Sequence, residues 1–246
     1  MKIKFYEYIV SYLRAKKAEI LYNIVMSKII EIKVYITNIE KYEDADSFEK
    51  AYTSVDIERR KKIDSFKFQK SKLQSLAAGV LLNQALEDAG FDRSNVKFRY
   101  NEYGKPYIED LPIFFNLSHS GNYAMCVVSD CEVGCDIEEI KSAEDKLAKR
   151  FFREEEYQDI ISQENFNERK DLFYRYWTLK ESFMKATGLG LKLPLNSFQI
   201  ILGNKISIKQ SVNDSEYSFY EISEIDGYKC AICVNSIQSK LLMKIL

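Results

Sequence analysis

Two acidic segments carry most of the chemistry open to this chain. The first, Gly134-Cys135-Asp136-Ile137-Glu138, sits in a strand-like run. The second, Trp177-Thr178-Leu179-Lys180-Glu181-Ser182-Phe183-Met184-Lys185, sits in a helix-like run. Residues two apart on a strand project to one face, so Asp136 and Glu138 point the same way. Residues four apart on a helix also share a face, which aligns Trp177, Glu181 and Lys185. If the two faces meet, three carboxylates converge with lysines beside them. Like charges ~4 Å apart repel by roughly 4 kcal/mol per pair at an effective dielectric of about 20. Such a group needs a cation, and oxygen-only ligands favour Mg²⁺ with a phosphate-bearing substrate.

Each piece also has a plainer reading. An isolated Asp-x-Glu is ordinarily the solvated face of an edge strand, and Trp177–Lys185 alone reads as an amphipathic helix. His119 is the only histidine, so a Ser-His-Asp triad or a histidine-ligated zinc would have to pass through it. Ser118 and Ser120 flank it without the GxSxG of a nucleophile elbow. His119 as a loop residue and His119 as a phosphate contact both stay open. The cluster Arg59, Arg60, Lys61 and Lys62 is either a solvated helix face or a device for capturing phosphate. Gly188-Leu189-Gly190 follows a helix instead of opening one, which makes it a helix stop and not a dinucleotide fingerprint.

Composition narrows the classes. The 36 basic and 37 acidic side chains nearly cancel, so whole-chain charge does not point to nucleic acid. A 46% apolar and 13% aromatic content over 246 residues supports a packed core and not disorder. The five cysteines do not form a disulfide framework. Cys230 and Cys233 resemble a CxxC, but an odd spacing on a strand sends the thiols to opposite faces. Cys126, Cys131 and Cys135 read as small apolar residues, and the reduced cytoplasm is the expected compartment. Met1 to Val25 is amphipathic, with Phe5, Ile9, Leu13, Ile20 and Ile24 at helical spacing. Charges interrupt it too often for a secretory signal, and no run approaches the ~18 apolar residues of a membrane span. It reads as a docked accessory helix, or as an extension ahead of Met26 as the working start.

The elements that must position these residues follow in order. Ile30 to Ile36 alternate as a half-buried strand, and Leu73 to Ala85 mark a helix that stops near Gly90. Asn101 to Pro106 form a turn. Strands are expected at Ile113–Leu117 and Tyr123–Ser129, with Ser118-His119-Ser120-Gly121 connecting them, and again at Val133–Glu138. Helices are expected over 143–152, 154–162 and 168–187, and strands over 198–202, 205–209, 217–222 and 228–234. That order gives an α+β fold of two lobes divided near 131–133.

At these residues the chain resembles the 4'-phosphopantetheinyl transferases, specifically the larger type that activates peptide synthetases such as surfactin synthetase. The matching segments are Tyr103-Gly104-Lys105-Pro106, Phe115 to Gly121, Val133 to Glu138, Arg150-Phe151-Phe152 with Glu156-Tyr157, Trp177 to Phe183, and Leu193-Pro194-Leu195 with Ser197-Phe198. They appear in family order from about Met26 to Val234. Each is weak alone, and together they are highly specific.

The resemblance implies a pseudo-twofold arrangement of two similar α/β lobes, 26–132 and 133–246, after a helical extension over 1–25. Coenzyme A lies in the cleft between the lobes, and Mg²⁺ is the cofactor. A serine of an apo acyl or peptidyl carrier protein attacks the β-phosphate, phosphopantetheine is transferred, and 3',5'-ADP departs. By motif match, Asp136, Glu138 and Glu181 are the implied metal ligands, and Lys180 and Lys185 contact the pyrophosphate. Ser118 and His119 contact coenzyme A phosphates, while Tyr103, Gly104 and Lys105 hold the adenine end. Glu156 is a further acidic position near the metal, and Trp177 packs the helix. The proton acceptor is Glu181 or a metal-bound water, and the sequence leaves both open. A monomer is implied, since both lobes lie in one chain.

Two positions depart from the family pattern. Ser75 stands where an arginine usually meets the 3'-phosphate, so Lys72, Gln74, Arg60 or Lys62 must take that load. Cys135 replaces a branched aliphatic residue. The rival readings are a Mg²⁺-dependent nucleotidyl or phosphoryl transferase and a non-catalytic docking module for carrier proteins. Missing P-loop and kinase signatures weigh against the first. Only Ser75 favours the second.

Overall fold

The computed structural model describes residues 29–92, 96–142 and 145–246, so the expected helix over 1–25 lies outside the described residues. The architecture is α+β. Strand β1 (Ile30–Asn38) pairs antiparallel with β5 (Tyr123–Ser129), which pairs antiparallel with β4 (Phe114–Ser120). On β5, Ala124, Cys126 and Val128 face one core while Met125 and Val127 face another, the period of two that a strand imposes. Both faces are covered, which explains the nearly continuous apolar run. Helix α3 (Gln69–Asp88) supplies Leu73, Leu76, Ala77, Leu81 and Ala85 to one core. Ahead of it come α1 (Ala45–Ser54) and α2 (Ile57–Ser65), whose N-caps Asp44 and Asp56 accept from the amides of Ser47 and Arg59.

The other face of that sheet meets a second sheet, ordered β6-β10-β9. Its strands are β6 (Val133–Glu139), β9 (Ser218–Ile222) and β10 (Tyr228–Val234). Ile32, Val34 and Val127 pack there against Cys135, Ile137 and Ile232. Cys230 joins this shared core while Cys233 points into a different one, so the thiols do lie on opposite faces. Short helices α4 (Asp145–Phe151) and α5 (Glu154–Ile161) lead to the 22-residue α6 (Phe166–Thr187), which covers the outer face of the second sheet. It ends at Gly188, whose φ of 70° is the left-handed C-cap expected of glycine. Two small ribbons complete the chain: β2 (Phe98–Tyr100) with β3 (Pro106–Ile108), and β7 (Gln199–Ile201) with β8 (Ser207–Lys209).

Gly134 sets how closely α6 approaches β6. A Cβ there would overlap the Ser182 carbonyl oxygen and the Ala186 amide nitrogen, both of them backbone atoms. Gly134→Ala is therefore expected to destabilise the chain by about 3 kcal/mol, the upper end for overpacking. Denaturant unfolding checks it, and an unchanged midpoint would mean the helix can retreat freely.

Two expectations need correction. The segment Ser118–Ser120 continues β4 and is not a connection, so only Gly121-Asn122 turns the chain. Small polar residues that look like turn formers are here used along a strand edge. A further strand, β11 (Ser239–Ile245), pairs parallel with β1 in the first sheet. The expected second lobe over 133–246 therefore does not hold for its last strand, which returns across the molecule because β1 offers an open edge there.

Candidate active site

A cavity of about 980 Å³ opens between the two sheets' edge strands and α6. Its walls come from α2 (Arg59, Lys61, Lys62), α3 (Ala78, Leu82), the first ribbon (Phe98, Tyr100, Gly104, Pro106), β4 (Phe115 to His119), β6 (Asp136, Glu138) and α6 (Trp177, Glu181, Lys185). The two acidic segments thus meet as their spacing predicts. Trp177, Glu181 and Lys185 all reach the cavity from one helical face, and Trp177 is held by stacking on Phe173 and by edge contact with Phe151.

Charge is concentrated on the wall between β6 and α6. Asp136 is buried, and its Oδ1 accepts from Lys185 Nζ at 2.6 Å and Ser118 Oγ at 2.9 Å. Its Oδ2 is buried without a hydrogen-bond partner. Burial and then the Asp136 charge raise the Glu138 carboxyl. The same two causes push Glu181 up to about 7, against the pull of Lys185. Burial works against the Lys185 ammonium, but Asp136 and Glu181 outweigh it, so the group is held protonated. Enclosure, followed by the charges of Lys185, Lys62 and Arg59, lowers His119 and keeps it neutral.

A divalent cation suits this donor set. Three carboxylates share this wall with the single ammonium of Lys185, and one buried carboxylate oxygen lacks a donor. Among the described residues no three such groups already close around a point, and Asp136 is paired with Lys185.

Several expected site residues stand elsewhere. Lys180 is fully buried and donates to both Glu156 carboxylate oxygens at 2.7 Å and to the Phe198 carbonyl at 2.7 Å. It therefore touches neither the cavity nor a phosphate, and Glu156 is spent on it and on the Ile200 amide. Helical spacing explains this: Phe173, Tyr176, Lys180 and Phe183 form the apolar stripe, about 100° from Glu181. Breaking a buried pair costs about 3–5 kcal/mol. Lys180→Met should lose that much in denaturant unfolding, with part recovered by adding Glu156→Gln. An unchanged midpoint in Lys180→Met, or no recovery on adding Glu156→Gln, would argue that the pair is not what binds α5 to α6.

Arg60 turns back to donate to the Val55 and Thr53 carbonyls and stacks on Tyr52. Arg59 takes its place in the cavity, its stem crossing Gly79, where a Cβ would crowd Arg59 Cγ at 3.0 Å. Arg59 and Lys62, three apart on α2, reach the cavity together, while Arg60 is drawn off by the two carbonyls. Lys105 points away from the cavity, donating to Glu132, the Val133 carbonyl and the Ala186 carbonyl. Gly104 lines the cavity, whereas Tyr103 lies outside its wall with Lys192 over its ring. Ser118 and His119 do line it, although the Ser118 hydroxyl is committed to Asp136. Ser75 is buried with its Oγ unpartnered, and Gln74 donates to the Gly121 carbonyl.

Residues 132–233 match the family model described as the 4'-phosphopantetheinyl transferase superfamily, and residues 43–132 match that of the 4'-phosphopantetheinyl transferase N-terminal region. The chain is 34% identical over 206 residues to the 4'-phosphopantetheinyl transferase Sfp of Bacillus subtilis, spanning 82% of this chain and 92% of that one. It is 37% identical over 166 residues to the 4'-phosphopantetheinyl transferase gsp of Aneurinibacillus migulanus, spanning 67% and 69%. A solved holo-(acyl-carrier-protein) synthase of Bacillus anthracis aligns with 43% of this chain and 96% of that one at 18% identity and a TM-score of 0.39, too slight a likeness to carry an argument.

Proposed function

The chain belongs to the 4'-phosphopantetheinyl transferases, and from that premise we propose how its cavity carries out transfer of 4'-phosphopantetheine from coenzyme A to a serine of an apo carrier protein. The observation that carries the reading is one cavity holding a cationic wall (Arg59, Lys62), an aromatic and aliphatic wall (Phe98, Tyr100, Leu82) and an acidic wall with a lysine (Asp136, Glu138, Glu181, Lys185). Those three surfaces suit phosphate, nucleobase and the reacting diphosphate in turn. Arg59 and Lys62 would meet the 3'-phosphate, a reading supported by their side chains lining the cavity while Ser75 is buried.

In the reaction the carrier serine oxygen bonds to the β-phosphorus, and the bond from that phosphorus to the bridging oxygen breaks. That oxygen leaves on 3',5'-ADP. The serine proton passes to Glu181 or to a water held beside it. Lys185 presents fixed positive charge to the diphosphate while holding Asp136. Asp136, Glu138 and Glu181 would hold Mg²⁺, which supplies charge neutralisation for the diphosphate.

The same reading takes the halves divided at 132/133, apart from the returning last strand, as similar lobes about a pseudo-twofold axis. Its support is that each half lays one long helix, α3 or α6, on the outer face of its own sheet while the inner faces share a core. Action as a monomer in the cytoplasm follows the same lines. Among the described residues the cysteines are unbridged, and no helix is long and apolar enough to cross a membrane.

The test is incubation with coenzyme A, Mg²⁺ and apo acyl or apo peptidyl carriers, side by side. A mass gain of one phosphopantetheine arm on either carrier supports the reading. No gain on both, with coenzyme A intact, would sink it.

A further inference from the structure

Strand β4 is the edge of the first sheet and β6 the edge of the second. The two edges meet in the interior, where unpaired backbone amides are costly. No backbone ladder joins them. Instead, alternate side chains of β4 reach across to alternate amides of β6. Asn116 Oδ1 accepts from the Cys135 amide at 2.9 Å, Ser118 Oγ from the Ile137 amide at 3.4 Å, and Ser120 Oγ from the Glu139 amide at 3.2 Å. All three pairs keep a separation of 19 residues, so the contact is a register and not a chance meeting.

The two serines do something more. A hydroxyl has one hydrogen, and its direction is constrained once an amide has claimed a lone pair. Ser118 gives its hydrogen to Asp136 Oδ1 at 2.9 Å, and Ser120 gives its own to Glu138 Oε2 at 2.7 Å. Asp136 and Glu138 lie between the anchored residues, on the cavity face of the same strand. Each serine therefore fixes the strand backbone beside a carboxylate and the carboxylate rotamer together.

We propose that Ser118 and Ser120 are positioning residues that set Asp136 and Glu138 for divalent-cation binding, with Asn116 completing the register. The inference rests on the reading of Asp136, Glu138 and Glu181 as metal ligands. Ser120 is the cleaner probe, because Ser118 also accepts from Lys185 Nζ at 3.1 Å and lines the cavity, whereas Ser120 does not line it. Groups that orient metal ligands from behind typically change affinity by about 10–100-fold when removed.

The experiment titrates Mn²⁺ into the full chain, with and without coenzyme A, and reads free Mn²⁺ by electron paramagnetic resonance. Thermal unfolding is followed in parallel. Ser120→Ala should weaken Mn²⁺ binding by at least about 10-fold, while Ser120→Thr, which keeps the hydroxyl, should restore it to within a few-fold. A purely structural serine would lower the unfolding midpoint of Ser120→Ala and leave Mn²⁺ affinity unchanged, which would overturn the inference. Equal loss in Ser120→Ala and Ser120→Thr would overturn it too. Glu138→Gln separates the two levels. If it binds Mn²⁺ as well as the parent chain does, the metal reading fails and this inference with it. If Glu138→Gln loses binding and Ser120→Ala does not, the metal reading stands and the positioning role alone is refuted.

Discussion

Glu181→Gln is expected to abolish phosphopantetheine transfer in a chain that remains folded. Glu181 shares the cavity wall with Asp136 and Glu138, and burial followed by Asp136 pushes its carboxyl up to about 7. Removing a general base costs about 10²–10⁴ in rate, and removing one of three carboxylates that would hold a cation takes away charge compensation as well. Glutamine keeps the volume but neither accepts the proton nor balances a cation, so a loss of about 10³ or more in kcat is expected in the carrier assay. Turnover within a few-fold of the parent would remove Glu181 from the chemistry.

The same substitution acts on stability with the opposite sign. A carboxyl raised in the folded state binds its proton more tightly there than in the unfolded chain. Below the ordinary value of 4.5 both states are protonated, and the group contributes nothing. As pH rises from there to about 7 the folded state loses ground, and above 7 the full penalty applies. A tenfold difference in proton affinity between the two states is worth about 1.4 kcal/mol, so the penalty is on the order of a few kcal/mol. Without divalent ions, Glu181→Gln should therefore unfold at a higher temperature than the parent at pH 8 and at the same temperature near pH 4. A single variant that gains stability while losing catalysis cannot be explained as a misfolded protein.

Period and spacing made the acidic wall legible, because both are local. Asp136 with Glu138 needed only the strand repeat, and Glu181 with Lys185 only the helical one. The errors came from residues chosen by type and motif, not by face. Lys180 and Arg60 are each one residue, about 100° of helix, from the residue that reaches the cavity. Lysine at the fourth residue after Tyr176 belonged to the buried stripe, and a buried lysine must find a carboxylate, which Glu156 supplies. Lys105 was lost for a different reason. Its partners, Glu132 and the end of α6, lie far along the chain, and nothing local reports them. The same distance hid β11, whose Ser239–Ile245 shows no clean alternation and is made a strand by β1. Ser118 and Ser120 read as turn chemistry because serine near Gly121 ordinarily is; pairing with β5 makes them strand residues, and the open edge of β6 gives their hydroxyls a use.

Lys185→Ala should cost kcat/KM about 10²–10³, the usual loss for a preorganised contact to developing charge. The lysine has two tasks that alanine removes together. Its Nζ reaches Asp136 Oδ1 at 2.6 Å, Ser118 Oγ at 3.1 Å and the Cys135 carbonyl at 3.1 Å, so it is a point charge with three donors aimed at three acceptors around it. It is also the cation that α6 presents to the cavity, one turn beyond Glu181, where the proposed reaction sets the diphosphate. Lys185→Arg should rescue poorly, because a planar fork cannot converge on acceptors arranged around a point. Without the ammonium, Asp136 stands buried with no positive partner beside it, and the metal-free chain should lose about 3–5 kcal/mol. That loss has a signature: divalent ions should raise the unfolding temperature of Lys185→Ala more than that of the parent, because they restore the missing charge beside Asp136. Calorimetric unfolding with and without Mg²⁺ reads it directly. Equal shifts in the two proteins, or kcat/KM within about threefold of the parent, would mean that Lys185 serves neither the carboxylate nor the diphosphate.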